Sequence, residues 1–165
     1  MTRRNLLAAL TILAILPVGQ KLRAQNALDR TGPQPELPKE RLDIVTRDGR
    51  SHSFDVEMAL TADQQITGLM FRKTVPADGG MIFDWQAPRQ SQMWMRNTLA
   101  PLDMVFIGED GTIRSIAENT VPQSLAVIDS RLPVRATLEL AAGTTAAMGI
   151  RVGDKVRQRI FGNAP

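Results

Sequence analysis

Apolar residues recur at every second position through Phe54, Val56, Met58 and Leu60, and Leu42 and Ile44 precede them across Arg47-Asp48-Gly49. Period-two alternation on both sides of a glycine-bearing turn predicts a β-hairpin. Its register follows from the faces that must match. A two-residue Asp48-Gly49 loop sets Ile44 opposite Ser53 and splits the apolar residues between faces. A three-residue loop sets Leu42 opposite Phe54, keeps them on one face, and gives Gly49 the left-handed position that follows a type I turn.

Thr61-Ala62-Asp63-Gln64 fits a capping box and predicts a helix running to about Leu69, weakened at its end by Gly68. After the Pro76 to Gly80 loop, Met81-Ile82-Phe83 reads as a short buried strand, Gln86-Ala87-Pro88-Arg89 as a turn and Gln92 to Arg96 as another strand. Met104 to Ile107 is apolar on both faces, which predicts an interior strand. The three-residue loop Glu109-Asp110-Gly111 then pairs Ile107 with Ile113 in a strand from Thr112 to Glu118.

Asn119 to Leu132 reads as a long polar loop able to cover a pocket, and Val134 to Leu140 as a strand. Thr144 or Thr145 caps a short helix closing at Gly149, and the last strand, Lys155 to Phe161, sets Lys155, Arg157 and Arg159 on a solvated face. About seven strands, two short helices and no alternating βαβ pattern give a mainly β (α+β) class: an antiparallel sheet curled into a small barrel or sandwich.

The N-terminus changes the picture of where the protein works. A basic start containing Arg3 and Arg4, an apolar run from Leu6 to Leu16 broken only by Thr11, and then Pro17 and Gly19 read as an export signal over residues 1–24. The run is well below the roughly 20 residues that span a bilayer, so no permanent membrane span is expected. Thr2-Arg3-Arg4-Asn5-Leu6-Leu7 also resembles a twin-arginine signal, leaving that route and general secretion both open. Residues 25–39 read as a flexible Pro-rich leader, 40–161 as a single β-rich domain and 162–165 as a tail.

The formal charge of +3 includes Arg3, Arg4, Lys21 and Arg23. Cleavage after Ala24 leaves 16 basic against 17 acidic groups, which gives no reason to expect nucleic acid as a partner. With no cysteine, an exported form of this chain rests on packing alone.

Gly68-Leu69-Met70-Phe71-Arg72, Gly80-Met81-Ile82-Phe83, Trp94-Met95-Arg96-Asn97-Thr98 with Pro101-Leu102-Asp103, and Gly149-Ile150 with Gly153-Asp154 together resemble the domain of unknown function 192 family over about residues 42 to 160. The resemblance implies a compact, β-rich, often exported domain and carries no reaction or residue roles. It marks the positions Met70, Arg72, Trp94, Met95, Asn97, Thr98, Pro101 and Asp103, whose chemistry must be argued from the residues themselves.

The candidate ligand-binding set is Arg72, Trp94, Arg96, Asn97, Thr98 and Asp103. If 92–96 is a strand, alternation puts Met93 and Met95 on one face and Gln92, Trp94 and Arg96 on the other, with Trp94 as a stacking floor and Arg96, Arg72 and Asn97 as donors to an anionic or sugar-like ligand. The competing account makes Asn97, Thr98 and Asp103 the architecture of one chain reversal. The leading function is therefore a non-catalytic binding or accessory domain for a small-molecule or cell-envelope ligand.

A catalytic alternative uses Glu57, Asp103 and Glu118 as acid and base in glycan hydrolysis, although such groups also pair structurally with Arg72 or Arg96. His52 lies between two serines on a strand with no cysteine anywhere to form a nucleophilic pair. A third reading takes Met70, Met81, Met93, Met95 and Met104 as a Cu(I) site, against their commoner use as core filler. No phosphate loop, zinc spacing or nucleotide fingerprint is present, so no cofactor or metal is expected.

Overall fold

The computed structural model describes residues 31–164, so the export signal and its cleavage point lie outside the described residues. The order is β1 (Lys39–Val45), β2 (Ser51–Ala59), α1 (Ala62–Thr67), β3 (Gly79–Met93), β4 (Leu102–Ile107), β5 (Ile113–Ala117), β6 (Ile128–Ala141), α2 (Thr144–Met148) and β7 (Lys155–Arg157), with a 3-10 turn at Arg159–Phe161. The strands form one sheet in the order β5-β4-β6-β3-β2-β1-β7. Its two edges approach where Thr112 bridges Lys155 and Val156 N–H donates to the Gly111 carbonyl (2.8 Å). The result is a half-barrel.

Both hairpin registers follow the three-residue loops. Leu42 faces Phe54 with Gly49 at φ 89°, and Ile107 faces Ile113 with Gly111 at φ 78°. The capping box at Thr61 and Gln64 is formed, and the helix ends at Thr67 with Gly68 as its cap.

Four expectations are corrected. The segments 81–83 and 92–96 are not two strands: β3 is a single 15-residue strand interrupted by a bulge, and it ends at Met93, before the Trp94 to Arg96 segment. The 119–132 loop is shorter than its polarity suggests, because β6 begins at Ile128 and pairs Asp129 with Gln92. The last strand stops at Arg157, where Gln158 turns inward and caps the 3-10 turn. One βαβ unit does exist: β2 and β3 are parallel, joined through α1 by residues 60–78, a connection long enough for the crossover that parallel strands require.

Alternation divides the sheet into two buried faces. The concave side gathers Leu42, Ile44, Phe54, Val56, Ile82, Val105, Leu138, Leu140 and Val156 into the main core. The opposite side of β2, β3, β4 and β6 carries Ala59, Met81, Phe83, Met104 and Phe106 and is covered by the crossover and by the 94–101 corner, which contribute Leu69, Met95 and Ala100. The stretch before β1 lies against the domain: Gln34 is buried and donates to the Gly68 carbonyl (2.9 Å), and Leu37 N–H donates to Glu57 (2.8 Å).

The close approach of β3 to β6 depends on one glycine. A Cβ at Gly80 would fall 2.3 Å from the Glu139 carbonyl oxygen, which is backbone of the neighbouring strand and cannot step aside. Gly80→Ala is expected to cost about 3 kcal/mol by urea denaturation, the upper end of ordinary overpacking.

Candidate functional site

On the second face, the strand registers place Glu57, Met81, Glu139 and Met104 in one row across β2, β3, β6 and β4. Two carboxylates therefore share a face, two strands apart, or about 10 Å at the usual strand spacing. Their environments are opposite. Arg72 grips Glu57 in a bidentate pair (2.6 and 2.8 Å) beside a small hollow of about 180 Å³ that also takes in Lys39, Asp55 and Val75.

Glu139 is 4% exposed and its carboxyl has no hydrogen-bond or ion-pair partner among the described residues. Burial alone pushes it up to about 8, so the group is a neutral acid at pH 7. It faces a larger cleft of about 330 Å³, roofed by Ala62 to Met70 and walled by Phe83, Trp85, Arg89, Gln92, Met93, Trp94 and Thr98.

A backbone device builds the wall. In β3, Asp84 pairs with Ala136 but Arg89 already pairs with Val134, so Trp85 to Pro88 bulge outward, with Gln86 at φ 65° and its N–H on Asp84 (2.7 Å). In a regular strand residues four apart are separated by about 13 Å. Here the bulge brings the Arg89 guanidinium to 4.0 Å above the Trp85 ring. Bulges commonly re-aim a side chain in this way. The Trp85 indole N–H is anchored on Thr137 (3.2 Å), and Arg96 lies 5.6 Å over Trp94.

The residues singled out from the sequence are divided by this arrangement. Trp94, 39% exposed, and Thr98 line the cleft, whereas Arg72 lies at the smaller hollow. Asn97 takes a left-handed conformation (φ 55°) and its carbonyl accepts the Phe71 N–H (2.7 Å), tying the corner to the crossover. Met93 and Trp94, expected on opposite faces, both line the cleft, because the strand ends between them.

Asp103 is fully buried: one oxygen accepts the N–H groups of Asn119 (2.9 Å) and Gly143 (3.2 Å), the other the N–H (2.9 Å) and hydroxyl (2.8 Å) of Thr145. The start of α2 is thus capped from 42 residues away in sequence, with Gly143 rather than a threonine at the cap position. Glu118 also meets the Thr145 hydroxyl (3.2 Å), so Asp103 and Glu118 are near one another, away from the residues that line either opening. Met81, Met95 and Met104 are fully buried as core filler, leaving Met70 and Met93 at the cleft. Glu139, Trp85 and Arg89 were not singled out from the sequence.

The DUF192 family model, described as an uncharacterised ACR, matches residues 43–158, which takes in every strand that forms this site. The chain belongs to the DUF192 family. A structure from Sinorhizobium meliloti, described as that of a candidate transcription regulator, is 46% identical, with a TM-score of 0.75 over 77% of this chain and 98% of that one. A protein of unknown function from Novosphingobium aromaticivorans is 36% identical, with a TM-score of 0.72 over 80% of this chain and 96% of that one. No curated protein gives a significant match. Among the described residues of this DUF192 chain, no helix is long and apolar enough to cross a membrane.

The Glu57–Arg72 pair also makes a prediction independent of ligand. Arg72→Met leaves a buried carboxylate uncompensated and is expected to cost about 3 kcal/mol in chemical denaturation. Adding Glu57→Leu should recover most of that loss.

Proposed function

We propose that this protein is a small-molecule binding domain, exported from the cytoplasm, whose site is the cleft over Glu139. The observation that carries the reading is the Glu139 carboxyl itself, buried, unpartnered and facing an opening of about 330 Å³. A carboxyl on the floor of a cleft that makes no hydrogen bond to the protein is left free for a bound molecule to partner. The volume and the mixture of aromatic, thioether and a few polar groups are those of a small-ligand site.

Glycan hydrolysis fits less well. It needs two carboxyl groups flanking one bond, whereas among the described residues Glu139 is the only carboxylate lining the cleft and Glu57 is held by Arg72 at the other hollow. Nor does the geometry favour DNA reading, since the α-helices described have six and five residues, too short to lie along a groove.

The test is a fragment screen by NMR on the mature chain. Hits should shift amides of residues 65–70 and 93–94 together, and Ala62→Trp, which crowds the mouth from an exposed position, should abolish them. Hits scattered over the surface and indifferent to Ala62→Trp would defeat the reading. Export rests on the N-terminal segment, and Edman sequencing of the protein from a periplasmic fraction should begin after Ala24 or Ala27. Full-length protein retained in the cytoplasm would refute it.

A further inference from the structure

Resting on the reading of the cleft as a binding site, we propose that its ligand is a small organic anion, a carboxylate on an apolar body, held by the Arg89 guanidinium in the cleft that Glu139 also lines. Arg89 is exposed, lines the cleft and has no carboxylate partner among the described residues. All of its donors are therefore available, and they lie in the flat geometry that matches a carboxylate. The bulge in β3 and the stacking on Trp85 bias it toward the cleft, which lowers the side-chain freedom lost when an anion arrives.

The charge balance points the same way. Arg96, half-buried over Trp94 beside the mouth, is likewise without a carboxylate partner among the described residues. Among the described residues lining the cleft Arg89 is the one charged side chain besides Glu139; along the Glu139 row Glu57 and Arg72 neutralise one another, as Asp84 on β3 and Arg135 on β6 do, while β4 sets Met104 beside Glu139 and α1 presents Gln65 and Ile66 to the cleft. With Glu139 protonated, the opening carries net positive charge and a carboxyl O–H on its floor. A ligand anion is attracted by Arg89 and meets no opposing charge at a neutral Glu139, whereas an organic cation must approach Arg89 and gains nothing from a neutral acid.

The remaining lining, including Ile66, Leu69, Met70, Phe83 and Met93, calls for an apolar body. At about 30 Å³ per water, the space corresponds to about ten waters, which sets the scale of the molecule.

Three probes of one shape test the class: hexanoate, hexanamide and hexylammonium, titrated into the mature chain by NMR. Hexanoate is expected to bind at the cleft roughly ten-fold tighter than hexanamide, with hexylammonium weakest. In Arg89→Met, an exposed replacement that leaves the sheet intact, the hexanoate-to-hexanamide preference should fall roughly ten-fold. Hexanoate affinity should also decline as pH rises past about 8, where Glu139 ionises, and Glu139→Gln should remove that decline.

Hexylammonium binding tightest, or all three binding equally at the cleft, overturns the anion while leaving the cleft a binding site. If none of the three shifts cleft amides and the fragment screen finds no hit there, the binding reading falls as well. Hexanoate silent beside other cleft hits overturns the anion alone.

Discussion

Replacing Glu139 with glutamine is expected to stabilise the protein by up to about 3 kcal/mol at pH 7 and to flatten its stability between about pH 4.5 and 8. The carboxyl ionises near 4.5 in the unfolded chain but only at about 8 in the fold, because burial opposes the charge. Between those values the native state holds a proton that the unfolded state has released. Stability therefore falls as pH rises through the window, by about 1.4 kcal/mol per pH unit from this one group, and levels off above it.

Glu40, Asp43 and Asp110 act in the opposite sense. Hydrogen bonds from Arg159, Ser53 and Lys155 respectively hold their carboxyls below the ordinary values, so their contributions are lost only as pH falls into the acid range. The two effects are separable by urea unfolding at intervals from pH 5 to 8. Parallel curves for the wild type and Glu139→Gln would rule out the buried acid. A gain in stability from removing a side chain is itself what a site kept for binding leads one to expect.

Asp103→Ala should produce the largest loss of any single substitution considered, about 4 kcal/mol or more. Four donors converge on this carboxylate, three of them backbone N–H groups, and alanine removes the shared acceptor of all four, leaving the buried Thr145 N–H without one. Asp103→Asn is expected to cost nearly as much, since its amide presents two hydrogens to groups that also donate. Beyond the thermal midpoint, amide exchange gives the decisive readout: protection should vanish first at Gly143 to Thr145 and Asn119. Loss spread evenly over the sheet would mean that Asp103 does not hold this corner.

The hairpins were legible because their information is local. Gly49 and Gly111 sit where a three-residue loop needs a left-handed residue, and the apolar alternation of Phe54, Val56 and Met58 admits one register. The capping box at Thr61 was legible for the same reason. The join of 81–83 to 92–93 was not, because Gln86-Ala87-Pro88 has the composition of a turn and only pairing with β6 makes it a bulge.

Glu139 was hidden more deeply. Within Ala136-Thr137-Leu138-Glu139-Leu140, alternation puts Thr137 and Glu139 opposite the main core, a pattern that normally describes a solvated face. What makes that face an interior is the crossover from β2 to β3, a long-range fact about topology. In the Trp94 stretch, alternation anticipates the contrast between buried Met95 and exposed Trp94 but not Met93 beside Trp94 at the cleft, and Trp85 and Arg89, which share that cleft, come from the bulge.

That crossover bears on how such a protein can diversify. The cleft's roof is Ala62 with residues 65–70, all inside one connection that begins and ends on adjacent strands, while Glu139 on its floor belongs to the sheet. Roof and floor are thus inherited in separate parcels of sequence. A replacement connection of similar reach could present a different lid to the same buried acid, making residues 60–78 the natural place to graft a new selectivity onto an unchanged scaffold.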